Sequence, residues 1–322
     1  MFPSRFSRYI FETTALHQVG LAILTVIVFL IEVVPLELQR RIVNDAVKHR
    51  PFSMILALCA VYAGVALSHG AIKLGLNIYR GWVGQRAVRD LRERIRALEN
   101  GLGSSAQGSN AETGERGKEI SMIVAEAEPV GLFVASALAE PLLEAGVLAT
   151  VFAYMVHIDT FMALIAAALF LLQMVFVPLM QGAINRRSMS GISLLRGLSA
   201  NLTNPTDAGG QRLREDTERI DQVFTLNMGI TTLKFSMNFL MNFCTQLQII
   251  AALLYGSWLV LTDQLAVGGV VAFISGVTRL TDPWGDLVNY FRDLSLTTAK
   301  YRLLANTANQ IAARHGTTNA VS

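Results

Sequence analysis

Ionisable side chains inside apolar stretches are the first residues of this sequence whose chemistry needs an explanation. Glu32 interrupts the first apolar run, and His69 and Lys73 lie four residues apart near the end of the second. Glu140 and Glu144 have the same spacing in the third run, so each pair shares one helix face. Such groups cost about 2.5–3.5 kcal/mol at membrane depth and usually face a cavity or a partner. The pattern predicts either a polar cavity favouring cationic or amphipathic substrates, or structural ion pairs.

The fifth apolar run adds amide side chains to this set. Asn242 and Gln246 are further cavity candidates, although polar groups in this run could equally form hydrogen bonds between helices. The five histidines are scattered, and Cys59 and Cys244 lie in apolar runs without metal-ligand spacing. No Ser/His/Asp or Cys/His arrangement is evident, so we expect neither an enzyme nor a metal site.

The composition excludes an ordinary soluble domain. Hydrophobic residues make up 52% of the 322 residues, charged residues only 16%, and the mean hydropathy is +0.43. A typical soluble domain carries about 25% charged residues, so this chain has too few charges to cover a globular surface. The net charge of +3 is typical of a membrane protein whose cytoplasmic loops are basic. No nucleic-acid partner is expected. We therefore expect a polytopic membrane protein.

Six apolar runs approach the roughly 20 residues that a membrane-spanning helix needs. The segment before the first run, FPSRFSRYIFETTAL, mixes aromatic and basic residues and predicts a short helix in the membrane interface. No signal-peptide cleavage site is expected after the first run. The sixth run is the weakest, and a mixed helix is predicted to continue past Pro283. The runs cover residues 19–36, 52–74, 130–156, 161–180, 239–262 and a stretch from 265.

Basic residues are sorted between alternate connections. Of the 27 Lys and Arg residues, 22 lie in the N-terminal segment, the segments Arg80–Lys118 and Arg186–Lys234, and the segment from Arg279 onward. The connection after the first run holds four, a partial exception, and the connections after the third and fifth runs hold none. By the positive-inside tendency, both termini and both long connections face the cytoplasm. We expect an integral protein of a bacterial inner membrane.

The two long connections, about 81–129 and 182–238, contain helical sequence next to the membrane, such as RAVRDLRERIRALEN. Helical extensions of about 20–25 residues would project about 30–37 Å from the bilayer. The patches GLGSSAQGSNAETGERG and NLTNPTDAGG predict turns at the tips of these arms. The arms are predicted either to contact a cytoplasmic partner or to be solvated hairpins.

Several local strings carry a family resemblance through their order and spacing. VVPLELQRRIVNDAV places a Pro before an amide-rich helix, GKEISMIVAEAEPVGLFV enters the third run, and RIDQVFTLNMGITTLKFSMNFL leads into the fifth. The strongest string is GSWLVLTDQLAVGGVVAFISGVTRLTDPWGDLVNYFRDLSLTTAKYRLL, with a Gly-rich turn and a late Pro. With six runs, two inner arms and an interfacial N-terminal helix, the chain resembles the membrane domain of ABC exporters over almost its whole length.

Nucleotide-binding motifs are where the sequence departs from that family. The string nearest to a Walker A loop is GERGKEIS. Its Lys118 is followed by Glu119 instead of Ser or Thr, and Glu112 stands where the loop needs its first Gly. AGGQRLR is similar to the Gly-Gly-Gln signature of ABC ATPases, but it lies at a predicted arm tip and is interpreted as a helix-starting turn. We expect residues 1–310 to form the six-helix membrane domain and 311–322 a short polar tail, without a nucleotide-binding domain.

The resemblance implies an all-α integral membrane fold with six transmembrane helices and two long cytoplasmic arms. It further implies a homodimer or heterodimer around one cavity, and a separate ATPase subunit or half-transporter that carries ATP and Mg²⁺. This chain itself is expected to bind no cofactor. Coupling to the ATPase is implied at the two arm tips, with candidates Glu99, Asn100, Ser104, Gln107, Leu198, Asn201, Thr203 and Asp207.

The predicted function is therefore a permease subunit of an ABC-type exporter that works by alternating access. Two alternatives stay open. One is a membrane scaffold or regulatory subunit that keeps the fold without transporting. The other is a secondary transporter that uses the intramembrane carboxylates as proton relays. The substrate is not predicted.

Overall fold

The computed structural model describes the backbone of residues 6–103, 110–203 and 211–318, and the side chains of 6–97, 127–188, 190–191, 217–218, 220–302 and 304–305. Within these ranges the chain forms seven α-helices and no strand, which confirms the all-helical prediction. The helices are α1 (Phe6–Ile31), α2 (Val33–Val47), α3 (Phe52–Gly103), α4 (Asn110–Ile158), α5 (Thr160–Thr203), α6 (Gln211–Leu261) and α7 (Val267–Thr318).

Five helical segments are long and apolar enough to cross a membrane, which indicates a membrane-embedded protein. The sequence predicted six. In α7, which begins at Val267, the apolar stretch is short because Arg279, Asp282 and Asp286 follow it closely. Among the described residues α7 is not one of the five, so a sixth span stays a prediction. The five segments are Phe6–Val47, Phe52–Ala97, Ala127–Ile158, Thr160–Ser188 and Ile220–Leu261.

The first segment contains two interruptions. Thr14 leaves the helical region, with φ −134° and ψ 17°, and its hydroxyl donates to the Ile10 carbonyl at 2.8 Å. A Thr side chain that bonds back to its own helix bends the helix. The predicted N-terminal helix therefore corresponds to the piece of α1 before Thr14. A second interruption falls at Glu32, between α1 and α2.

The connections away from the long arms are tight. The turn between α2 and α3 places His49 at φ 51°, a left-handed conformation that commonly ends a helix. Asp159 alone separates α4 from α5, and its Oδ1 accepts a hydrogen bond from the Met162 amide at 2.7 Å, as an N-cap does. Asp263, at φ 55°, lies in the short turn between α6 and α7. These turns join consecutive helices through only a few residues.

The chain divides into two compact units, Met155–Thr281 and the remainder. In the larger unit, buried side chains of α1, α3, α4 and α7 form one cluster in which Phe6, Tyr9, Leu91 and Tyr301 are almost fully covered. A second cluster joins α1, α3 and α4 around Leu21 and other apolar residues. Burial in the first cluster raises the pKa of Tyr301 to about 12, so this side chain stays protonated at physiological pH.

In the unit Met155–Thr281, α5 and α6 pack along each other. Gly256 of α6 also allows the start of α7 to come close, because a Cβ there would lie 2.9 Å from a methyl group of Val270. The amide of Gln248 donates to the Ala166 carbonyl at 2.9 Å, so a buried polar group links the two long helices. Helix α7 continues to Thr318, and the predicted polar tail from 311 therefore begins inside a helix.

Candidate functional site

The first of the predicted ionisable groups, Glu32, lies at the break between α1 and α2. Its Oε2 is 2.9 Å from Nε2 of His69 on α3, and each side chain is 17% exposed. Two residues that the sequence singled out separately are therefore neighbours in space. A carboxylate beside an imidazole at this depth can share or exchange a proton, and it forms an ion pair when the imidazole is protonated.

Lys73, Glu140 and Glu144 belong to a second group in the same unit. Arg80 Nη1 lies 3.8 Å from Glu140 Oε2. Glu144 is in the electrostatic field of Asp286 on α7, of Lys73 and Arg80 on α3, and of Glu140 one turn away. The members are Lys73, Arg80, Glu140, Glu144 and Asp286, called the charged cluster below.

The charged cluster carries two cationic and three anionic side chains and therefore has a net charge of −1 when all are ionised. The close Arg80–Glu140 pair neutralises one charge of each sign. Lys73 is exposed, and Asp286 is exposed as well. Such an arrangement stabilises a bound cation, or it can pass a proton between carboxylates. Both chemistries were predicted from the residue types.

A cavity of about 360 Å³ opens beside Glu140, between α4 and α7. Tyr290 forms part of its wall and donates a 2.6 Å hydrogen bond to the Ala137 carbonyl, which fixes the ring. The wall combines polar and charged groups with aromatic surface, including Ser136, Glu140, Tyr290, Asp293, Thr297 and Lys300. The volume suits a small organic molecule.

The two amide candidates lie elsewhere. Asn242 and Gln246 are exposed on α6, in the unit Met155–Thr281. Their neighbours Thr245 and Gln248 are buried and form hydrogen bonds, Thr245 with Thr281 at 3.3 Å and Gln248 with Ala166. The polar residues of this run thus divide into two faces, one that joins helices and one that is exposed.

The sequence predicts the coupling residues at the arm tips. Ser104, Gln107 and Asp207 are outside the described residues. Helices α3 and α5 extend through the other five, Glu99, Asn100, Leu198, Asn201 and Thr203, but their side chains are also outside the described set. The coupling role therefore stays a prediction from the family resemblance.

Sequence reasoning missed Arg80 and Asp286. Arg80 follows Lys73 by seven residues and His69 by eleven, so helical periodicity would have placed all three on one face of α3. Asp286 gave no such signal, because its approach to Glu144 depends on how α7 packs.

The described part of the chain contains no group of three or more His, Cys, Asp or Glu side chains that could hold a metal ion.

The comparisons with known proteins do not identify a family: no family model matches the chain, and no curated protein matches it. Any functional conclusion therefore depends on the residues and their geometry, together with the resemblance noted in the sequence.

Proposed function

We propose that this chain is the membrane-spanning subunit of an ATP-driven exporter, powered by an ATPase on another chain. The observation that carries the proposal is the length of four consecutive helices. Helices α3, α4, α5 and α6 contain 52, 49, 44 and 51 residues, which corresponds to about 66–78 Å at 1.5 Å per residue. A bilayer core is only about 30 Å thick.

The excess length lies at the ends through which the chain passes from α3 to α4 and from α5 to α6. Beyond its apolar run, α3 continues for 29 residues from Leu74 to Gly103, about 44 Å, and α5 for 23 residues from Met180 to Thr203, about 35 Å. These extensions are rich in arginine. The opposite ends are joined by Asp159 and by the turn at Asp263. Long helical arms at alternate connections, with tight turns at the connections between them, support a device that receives force from outside the membrane.

The charged cluster and the 360 Å³ cavity support the transport part of the proposal. Groups such as Glu140 and Glu144 are costly at membrane depth, which is accounted for when they line a substrate path. Two copies, or this chain and a related subunit, would enclose the path. ATP-driven movement of the arms would then open it alternately to each side.

Purification in mild detergent from native membranes, followed by mass spectrometry, tests this proposal. We expect a stoichiometric partner with a Walker A motif. A variant with Glu99, Gln107, Asn201 and Asp207 all changed to Ala should lose that partner. The matched control changes Lys48 and Arg50 to Ala at the opposite end of the spans, and it should keep the partner. A stable oligomer without any ATPase would contradict the proposal.

A second function, a proton-coupled carrier, is favoured by the Glu32–His69 contact at 2.9 Å. It would use the intramembrane carboxylates as a proton path and would need no ATP. The two functions differ in one experiment on reconstituted vesicles. A carrier moves substrate with a proton gradient alone and loses this activity in Glu144→Gln, whereas an exporter subunit is inactive until the ATPase and ATP are added.

A further inference from the structure

A cluster of aromatic and basic side chains connects α1 and α3 at the arginine-rich end of their apolar runs. His17 Nδ1 lies 2.9 Å from Tyr79 Oη, and the rings of Tyr79 and Trp82 stack at 6.2 Å. His17 meets Trp82 edge-on at 5.3 Å, and the Arg86 guanidinium lies 5.3 Å from the centroid of the same ring. The members, His17, Tyr79, Trp82 and Arg86, are called the interface cluster.

Hydrogen-bond chemistry assigns the donors and acceptors of this cluster. Arg86 Nη1 lies 3.4 Å from His17 Nε2, and a guanidinium can only donate, so His17 Nε2 accepts. His17 Nδ1 then carries the hydrogen and donates to Tyr79. Arg86 is the cationic member of the cluster. The Tyr79 hydroxyl hydrogen has no acceptor among the described residues.

Arg86 differs from its neighbours on α3. Arg89, Arg92 and Arg94 each lie within 3.0 Å of a carboxylate oxygen. No carboxylate in the described part of the chain is within ion-pair distance of Arg86, which is exposed. Four of its five N–H donors are therefore available to an anion, in the fork geometry that suits a phosphate.

An exposed apolar track leads away from this cation. On α3, Ile78 and Leu74 lie one and two turns before Trp82 and are 65% and 61% exposed. The cluster thus combines a cation with a phenol hydroxyl and an indole at the level where apolar surface ends. Tyr and Trp are enriched at this level of a bilayer.

We infer that the interface cluster is a binding site for an anionic phospholipid of the leaflet on the side of the long arms. Arg86 holds the headgroup phosphate, Tyr79 donates a second hydrogen bond to it, and the acyl chains lie along the apolar track of α3. Basic pockets between transmembrane helices recognise anionic headgroups in this way. The apolar track selects a lipid over a free phosphate, and the site does not depend on the proposed transport.

Native mass spectrometry of the full chain, delipidated and then titrated with phosphatidylglycerol or phosphatidylcholine of equal chain length, tests the site. We expect phosphatidylglycerol to bind the chain more tightly, and Arg86→Gln to weaken its first binding event about tenfold or more. Arg96→Gln removes the same charge about 15 Å further along α3, beyond a Debye length, and should leave this event unchanged. Equal binding of both lipids, or an equal loss in the two variants, would overturn the inference.

Two further measurements guard against a folding defect and a soluble ligand. Tyr79→Phe removes only a hydroxyl and should still weaken phosphatidylglycerol binding several-fold. Brominated phosphatidylglycerol should quench more fluorescence in the natural chain than in Trp82→Phe. Inorganic phosphate that displaces the lipid at equal concentration would show that the site recognises soluble phosphate instead, and unchanged quenching in Trp82→Phe would place the lipid elsewhere.

Discussion

A single glycine sets how closely α3 and α4 approach each other. A Cβ on Gly131 would lie 2.6 Å from the backbone nitrogen of Val88, which cannot move as a side chain can. A Cβ on Gly84 would lie 3.3 Å from the Cα of Leu132 in the same crossing. Small residues at such crossings allow membrane helices to pack by van der Waals contact. The crossing lies beside the buried residues that hold the start of the arm.

We therefore predict that Gly131→Ala destabilises the protein by about 1–3 kcal/mol, because the added methyl group forces the backbones apart. Gly81→Ala is the matched control, since nothing lies within 4 Å of a Cβ at that position. Thermal unfolding in detergent, followed by circular dichroism, measures both. Equal melting temperatures for the two variants would show that the crossing is looser than the geometry implies.

The Glu32–His69 contact gives a second prediction for single residues. Glu32→Ala and His69→Ala should each destabilise the protein, and the double variant should cost less than their sum by about 0.5–3 kcal/mol. The coupling arises because either single change removes the whole contact, in an environment where polar groups are expensive.

The control for this double-mutant cycle is the pair Arg8–Glu12. Its contact of 2.7 Å is just as close, but its side chains are 73% and 52% exposed. Its coupling should be no more than about 0.5 kcal/mol. The same unfolding measurement serves both cycles. Additive effects at Glu32 and His69 would mean that the contact contributes nothing to stability.

The sequence predicted the individual charged residues but only part of their arrangement. Glu140 and Glu144 share a face because helix periodicity requires it, and this follows from spacing alone. The approach of Glu32 to His69 and of Asp286 to Glu144 depends on the packing of different helices. The interface cluster was missed because His17 and Tyr79 are 62 positions apart and neither is unusual at the end of an apolar run.

At the level of elements, the N-terminal piece of α1 is the segment whose attachment is best defined. Tyr9 Oη donates to Asp90 Oδ2 on α3 at 3.2 Å, and Arg94 binds the same oxygen at 2.9 Å. The Tyr9 ring packs 5.5 Å from Tyr301 on α7. The aromatic residues of this segment predicted a helix in the membrane interface, but Phe6, Tyr9 and Ile10 face the protein core.

We predict that Tyr9→Phe loosens this attachment by about 1 kcal/mol, because a hydrogen bond to a carboxylate is lost while the ring remains. Hydrogen exchange followed by mass spectrometry should show about fivefold faster exchange in residues 6–13. Arg89→Gln breaks the exposed Arg89–Glu93 pair on α3 and should leave the exchange of residues 6–13 unchanged. Unaltered exchange in Tyr9→Phe would mean that ring packing alone holds the segment.

Element boundaries were predicted less well than element type. The apolar runs predicted the spanning helices because hydropathy over about 20 residues is a strong signal. The bend at Thr14 depends on one hydroxyl that bonds to the Ile10 carbonyl, which no hydropathy pattern reports. Helix α7 was predicted only in part. Its apolar stretch is the shortest, and its long helical continuation was not fully anticipated.

For the molecule as a whole, the exposed amides of α6 are the feature that depends most on its surroundings. Asn238, Asn242 and Gln246 are spaced by four residues and lie within about 80° of one another around the helix axis. An amide that faces lipid loses its hydrogen bonds with water, at a cost that apolar neighbours do not repay. In the proposed exporter this row faces water.

That placement predicts how cysteines at these positions react. In a chain with Cys59→Ser, Asn242→Cys should react rapidly with a water-soluble thiol reagent in intact vesicles, because the reactive thiolate forms only in contact with water. Leu240→Cys lies roughly 160° away around the helix and is the control, since the leucine is 37% exposed and should face lipid. It should react much more slowly. If both cysteines stay unreactive, the amide row is packed against protein instead of water, and the enclosed path must be sought on another helix face.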